Sequence, residues 1–180
     1  MNMFRESQAD QYLNNVLWQN DPDVIFLRDY DTPFNETERR SIALWAGILG
    51  GTLTTSDRFS MLDAEAVELW RFLVPERRAT AELPFWSTDR EHPVAVRPFD
   101  NSNAWAILIV NTTDAVFEKI YDLQQLIGRK SAYCFEWNVG HCKPLGQRSN
   151  LSVTLAAHAS VLYAAQTDSR SLPEDLRLGD

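Results

Sequence analysis

Asp21-Pro22-Asp23-Val24-Ile25-Phe26-Leu27, followed after Thr32-Pro33 by Asn35-Glu36-Thr37-Glu38, is the stretch whose reading decides the fold. The Asp-Pro-Asp punctuates the chain, and the four apolar residues behind it suit a short buried parallel strand. Asn35 is placed to cap a helix, with Glu38 three residues on in the capping-box position. Ile42, Trp45 and Leu49 recur at spacings of three and four, which gives that helix one apolar face, and Gly50-Gly51 predicts its end. Thr52-Leu53-Thr54-Thr55 reads as a second short strand. Asp63 then opens a second helix, with Val67, Trp70 and Val74 on one side, before Pro75 stops it. Strand, helix, strand, helix with glycine and proline at the joints predicts a parallel α/β arrangement.

The pattern changes after Pro75. Glu76-Arg77-Arg78 is a polar joint, and from Pro84 onward apolar runs at residues 94–96, 104–110, 132–137, 151–155 and 160–163 alternate with turn formers. Asp100-Asn101-Ser102-Asn103, Asn111-Thr112-Thr113-Asp114 and Lys143-Pro144-Leu145-Gly146 read as the loops between them. This predicts an antiparallel β-sandwich. Residues 116–127 carry both a helical stripe (Phe117, Ile120, Leu123, Ile127) and a place in a series of strands; a strand over 116–121 is the expectation. The tail, 168–180, is polar and expected to fray.

The 180 residues are 44% hydrophobic and 11% aromatic, a globular composition. A formal net charge of -8 repels phosphate backbones and anionic headgroups, so neither nucleic acid nor membrane is an expected partner. No window reaches the ~18 apolar residues that span a bilayer, and residues 1–20 hold no stretch of signal-peptide length, so the cytoplasm is the expected compartment. There the sequons at Asn35, Asn111 and Asn150 carry little weight. Cys134 and Cys142 read as reduced thiols, although they are close enough to bridge across a β-turn. No metal site and no cofactor are expected: His92 and His141 have no ligand constellation despite Cys142 beside His141, and His158 between alanines reads as structural.

Leu17-Trp18-Gln19-Asn20-Asp21-Pro22-Asp23 resembles the Trp-x-Asn-Asp-Pro-Asp motif near the seventh barrel strand of melibiase-type glycosidases, the α-galactosidase clan. The match continues through the Thr/Glu-rich helix start at 35–40, Ala43-Leu44-Trp45-Ala46, Gly50-Gly51-Thr52-Leu53, Ser56-Asp57 and Phe72-Leu73-Val74-Pro75. Ala157-His158-Ala159-Ser160-Val161-Leu162-Tyr163 is similar to that family's last strands. The resemblance covers about residues 17–163. It implies an α/β plus all-β chain, in which residues 1–78 are the last two β/α units of a (β/α)8 barrel. Residues 79–167 would be the antiparallel β-sandwich that follows it, and 168–180 a polar tail. It also puts the Asp-Pro-Asp at the carboxyl end of a strand near 16–23, the barrel face where active sites lie.

A retaining glycosidase needs two carboxyl groups about 5 to 5.5 Å apart. In the resembling family the nucleophile belongs to a Lys-x-Asp triplet, whereas Lys119, Lys130 and Lys143 are followed two positions on by Tyr121, Ala132 and Leu145. The acid/base Asp would also fall upstream, so no residue here is expected to be catalytic and the chain is expected to be inactive by itself. The resemblance implies sugar contacts by Asp23, with Asn20 and Asp21 as further candidates; a turn-capping role for both aspartates is the structural alternative. Trp18 would wall the pocket. Asp57 would either face the pocket or cap the helix that follows. Trp45 and Trp70 read as core, and Trp86, Trp105 and Trp137 as core or inter-domain packing.

Three functions compete on this reading. The first is a portion of an α-galactosidase-like hydrolase whose intact form takes an α-galactoside or related sugar. The second is a non-catalytic carbohydrate-binding sandwich, which requires Trp86, Trp105 or Trp137 on an exposed face. The third is a structural remnant that self-associates or takes a complementing chain, which an exposed apolar edge on the first two strands would favour.

Overall fold

Ala104–Val110 is apolar at every position because both of its faces are covered, and this places it inside a sheet. The computed structural model of the chain describes residues 2–17, 19–22, 24–74, 80–99, 103–169, 172 and 176–179. Seven strands follow one another in its second half: β1 (Val94–Pro98), β2 (Ala104–Val110), β3 (Phe117–Asp122), β4 (Ala132–Asn138), β5 (His141–Arg148), β6 (Asn150–Leu155) and β7 (Ser160–Gln166). Five of them form an antiparallel sheet in the order β1-β2-β7-β4-β5, and β3 pairs with β6 as a separate two-stranded ribbon.

Alternate residues of the large sheet feed two cores. Val94, Val96, Ile107, Ile109, Cys134 and Ala165 meet Tyr121, Leu151, Val153 and Leu155 of the ribbon. Ala95, Ala106, Leu108, Phe135, Leu162 and Ala164 meet the helices on the other side. The antiparallel sandwich is therefore present, with helices on its outer face. Strand β3 begins one residue later than expected and ends in a short helix, α4 (Leu123–Ile127), capped by Asp122.

The first half is built around α2 (Glu36–Leu49). Asn35 Oδ1 accepts from Glu38 N at 3.0 Å while Glu38 Oε2 accepts from Asn35 N at 2.8 Å, the predicted capping box, and Gly50 closes the helix in the left-handed region at φ 72°. One apolar face was expected, but every residue from Ser41 to Leu49 is buried. The reason is that α2 lies in the middle, packed on β1, β2 and β7 and also covered by α1 (Asn2–Asp10) and α3 (Ala64–Leu73). Phe4 and Ser7 of α1, a helix the sequence reading did not anticipate, hold Trp45 by ring contact at 5.5 Å and by an indole hydrogen bond of 2.8 Å. In α3 the buried face is Ala66, Leu69, Trp70, Phe72 and Leu73, so Val67 is only half-buried and Val74 is exposed. The two short strands expected at 24–27 and 52–55 reduce to one parallel bridge, Val24 to Thr54, supported by Ile25 N donating to Thr54 O at 2.9 Å.

Two further expectations are corrected. Lys143-Pro144-Leu145-Gly146 is not a loop but lies within β5, an edge strand whose register against β4 shifts between Cys134 and Phe135; proline is tolerated at such an edge. The tail does not fray where it is described: Leu172 and Leu178 are buried, and Leu178 N donates to Phe72 O at 2.8 Å. Cys134 and Cys142 form no disulfide, and burial pushes the Cys134 thiol up to about 11, so it is a protonated core residue.

Arg97 is 1% exposed, and its guanidinium donates to Gly47 O at 2.9 Å, Ile48 O at 3.3 Å and Leu178 O. Replacing it with Met leaves buried carbonyls without donors, with an expected loss on the order of 3 kcal/mol in a urea titration. Deleting residues 170–180 is expected to destabilise as well, and the two changes together should cost less than their sum because both break the same junction.

A second prediction concerns residues 84–92. Asp89 Oδ1 accepts from His92 N at 3.1 Å and lies 2.9 Å from His92 Nδ1, Lys119 Nζ donates to Asp89 Oδ2 at 3.1 Å, and the His92 ring stacks on Phe117 at 3.8 Å. Partial burial pushes the Asp89 carboxyl up, but the hydrogen bonds and charges of His92 and Lys119 outweigh it and hold the group below its ordinary value. A depressed carboxyl contributes stability that is complete above the unfolded-state pKa and is lost as pH falls through the folded-state value. Thermal melts of the parent and Asp89→Asn should therefore differ at neutral pH, with the parent higher, and converge in strong acid.

Candidate functional site

Asn20 and Asp21 come together with α1. Met3, Glu6, Ser7 and Asp10 recur at three- and four-residue spacing, so they share one helix face. Glu6, Ser7 and Asp10 border an open cleft of about 420 Å³ whose other wall is Asn20, Asp21 and Pro22.

Asn20 is 8% exposed and fixes this wall. Its backbone N donates to Asn14 Oδ1 at 2.9 Å, its Nδ2 donates to Asp10 O at 3.0 Å, and its carbonyl accepts from Thr52 N at 2.8 Å. The last contact requires close approach of two backbones: a Cβ on Gly51 would stand 2.3 Å from Asn20 O. Asn14 is itself buried, its Nδ2 donating to Leu49 O at 3.1 Å at the end of α2. Asp21, in contrast, is exposed and lines the cleft.

Asp57 lies apart from the cleft-lining residues and caps nothing. Its side chain is fully buried, with Oδ2 accepting from Leu27 N at 2.7 Å and Oδ1 paired with Arg28 Nη1 at 3.2 Å. Together with Thr55 Oγ1, which donates to Ile25 O at 2.8 Å, it fastens the segment after the first bridge strand to the segment after the second. The cap of α3 is Asp63, which accepts from Ala66 N at 2.7 Å. Trp18 and Asp23 lie outside the described residues.

The structure thus brings two of the five candidate positions, Asn20 and Asp21, into one cleft and adds Glu6 and Asp10, which the sequence reading missed. The signal that would have found them is the 3-6-7-10 spacing near the N-terminus. Chemically the cleft offers carboxylates, a hydroxyl and an amide, a set suited to accepting hydrogen bonds from a neutral polyhydroxy ligand. Among the described residues no group of three or more His, Cys, Asp or Glu side chains is placed to hold a metal ion.

No protein-family model matches the chain, and no curated protein matches it in sequence. Solved structures do match in three dimensions. The GH27 β-L-arabinopyranosidase of Geobacillus stearothermophilus, in complex with arabinose, superimposes with a TM-score of 0.77 at 15% identity over 93% of this chain and 42% of its own. α-Galactosidase I of Mortierella vinacea matches with a TM-score of 0.76 at 14% identity over 96% of this chain and 45% of its own. The chain has the fold of part of these glycosidases. The α-galactosidase of Saccharomyces cerevisiae, solved with raffinose, carries the same fold at 10% identity and a TM-score of 0.70, over 93% of this chain and 51% of its own. The chain therefore spans about half or less of these melibiase-type structures, and the likeness establishes shared architecture.

Asn20 and Asp21 separate by their behaviour on substitution. Asn20→Ala, which leaves Asp10 O without its side-chain donor, is expected to lower stability by about 1 to 3 kcal/mol. Asp21→Ala, at an exposed position, should lower the melting temperature less than Asn20→Ala does by differential scanning calorimetry.

Proposed function

We propose that the chain is the C-terminal portion of a retaining α-glycosidase of the α-galactosidase type, inactive by itself because both catalytic carboxylates belong to an upstream part. The observation that carries this reading is the coverage: over nine tenths of this chain matches the arabinopyranosidase, but only 42% of that enzyme is matched in return. On this proposal residues 1–78 are the last two β/α units of a (β/α)8 barrel, residues 79–167 the sandwich domain and 168–180 its tail. The parallel bridge between Val24 and Thr54, with α2 following the first partner and α3 the second, supports the barrel assignment.

In the intact enzyme the cleft wall at Asn20 and Asp21 would hold part of a galactoside or a related sugar, with Asp23 and Trp18 contributing beside it. Asp57 would act through Leu27 and Arg28, keeping the carboxyl ends of the two bridge strands together. A partner for the first half is supported by Tyr12, Val16 and Leu17, which are 74%, 73% and 69% exposed, a bare apolar strip of the kind an incomplete barrel leaves. Self-association or a complementing chain would cover it. Cys134 and Cys142, which form no disulfide, fit a reducing compartment, the cytoplasm.

The test is hydrolysis of p-nitrophenyl α-galactoside by the purified chain, with other α- and β-glycosides alongside. The expected result is no turnover. Reproducible turnover that survives repurification would put the catalytic acids within these 180 residues and overturn the proposal.

A further inference from the structure

Of the three sandwich tryptophans, Trp137 is 3% exposed and Trp105 half-buried, with Arg129 5.5 Å from its ring. Trp86 differs, at 49% exposed. It lies on a turn that is held rigidly: Trp86 N donates to Leu83 O at 3.3 Å, Thr88 N and Asp89 N donate to Phe85 O at 3.0 and 2.9 Å, and Phe85 packs on Tyr121 at 5.7 Å. The Asp89–Lys119 pair then pins the end of the turn to β3. A large indole thus stands half exposed on a turn fastened by backbone hydrogen bonds.

Trp86 borders a groove of about 440 Å³ together with Tyr12, Gln8, Gln11, Thr80 and Glu82. Tyr12 is 74% exposed, so two aromatic side chains from separate elements meet solvent at one concavity. Gln11 is 3% exposed; its Nε2 donates to Leu49 O at 3.0 Å and Ala81 O at 3.2 Å, whereas its Oε1 has no hydrogen-bond partner. An orphaned acceptor of this kind is unusual in a folded core.

We propose that this groove is a second carbohydrate site, separate from the Asn20–Asp21 cleft, that takes a neutral mono- or oligosaccharide by stacking on Trp86 and Tyr12. A pyranose has an apolar C–H face and a rim of hydroxyls, and the groove presents aromatic faces with amide, hydroxyl and carboxylate groups among them. The described residues that line it include no lysine, arginine or histidine, and Arg90 stands beside it, 5.7 Å from the centroid of the Trp86 ring. Tyr12 also belongs to the exposed apolar strip, whereas Val16 and Leu17 do not line the groove. Its volume falls in the range of small-ligand sites.

The experiment is titration of the purified chain with galactose, arabinose and raffinose, observed through the 15N-labelled indole signals, with the Trp86 signal assigned by its loss in Trp86→Phe. A saturable shift of the Trp86 indole with at least one sugar is expected. Trp86→Ala and Tyr12→Ala should each weaken binding about tenfold or more with circular dichroism unchanged, since both positions are exposed. Asp21→Ala should leave this affinity intact, which separates the groove from the cleft and from the hydrolase proposal. Absence of any saturable shift, or equal affinity in Trp86→Ala, overturns the proposal. So does a change in sedimentation of the groove variants without a change in sugar binding, which would mark the groove as a protein contact.

Discussion

A single buried guanidinium joins the parts of this molecule. Arg97 stands on the helix-facing side of β1, where its neighbours by alternation are small or apolar, and its hydrogen bonds go to the last turn of α2 and to the tail. A helix end buried under a sheet must have its carbonyls satisfied by something other than water. A cation there also meets the negative end of the helix dipole. Gly47 makes the arrangement possible sterically, since a Cβ at that position would stand 2.6 Å from Leu73 Cδ2 and 3.1 Å from Leu178 Cδ2. Sheet, central helix, α3 and tail consequently meet around one charge, and the position of α2 sets everything packed upon it.

The cleft inherits its geometry from that junction. Asn14 bonds the carbonyl of Leu49 and positions Asn20, and Thr52 reaches Asn20 O only because Gly51 has no side chain. The adjacent Asn20 and Asp21 thereby divide their labour. Asn20 faces inward as a fastener, and Asp21 faces the cleft, so chemical likeness within a motif does not imply a common role. Asp57 makes the same point from the second bridge strand: a carboxylate expected at a pocket or a helix cap is instead what holds two segments side by side.

What was legible in the sequence was whatever is decided locally. The capping box at Asn35 and Glu38 and the left-handed Gly50 depend on neighbours within one turn, and the structure reproduces them. The runs that became β2, β4, β6 and β7 were legible because cores on one or both faces demand apolar residues there. Strand β5 was not, because an exposed edge strand places no such demand and its Pro144 and Gly146 mimic a turn. The tail was misread for a related reason: its leucines stand among charged residues, and Leu178 is buried because the hollow beside Gly47 and Arg97 receives it. Of the site, Asn20 and Asp21 carried a motif, whereas Glu6 and Asp10 reach the cleft only through the docking of α1 on Trp45.

That docking gives α1 a double role. Residues Met3, Glu6, Ser7 and Asp10 wall the acidic cleft, while Gln8 and Ala9, with Gln11 and Tyr12 just beyond the helix, wall the aromatic groove. The two concavities differ in chemistry because they lie on different faces of one short helix, one lined by carboxylates and the other by rings and amides. Catalysis by retention is lost when either of two carboxyl groups a few ångströms apart is missing, since it depends on their mutual geometry. Recognition of a sugar by ring faces and a few hydroxyl partners has no such all-or-none requirement, so the sugar site we propose at the aromatic groove does not depend on where a catalytic carboxyl pair lies.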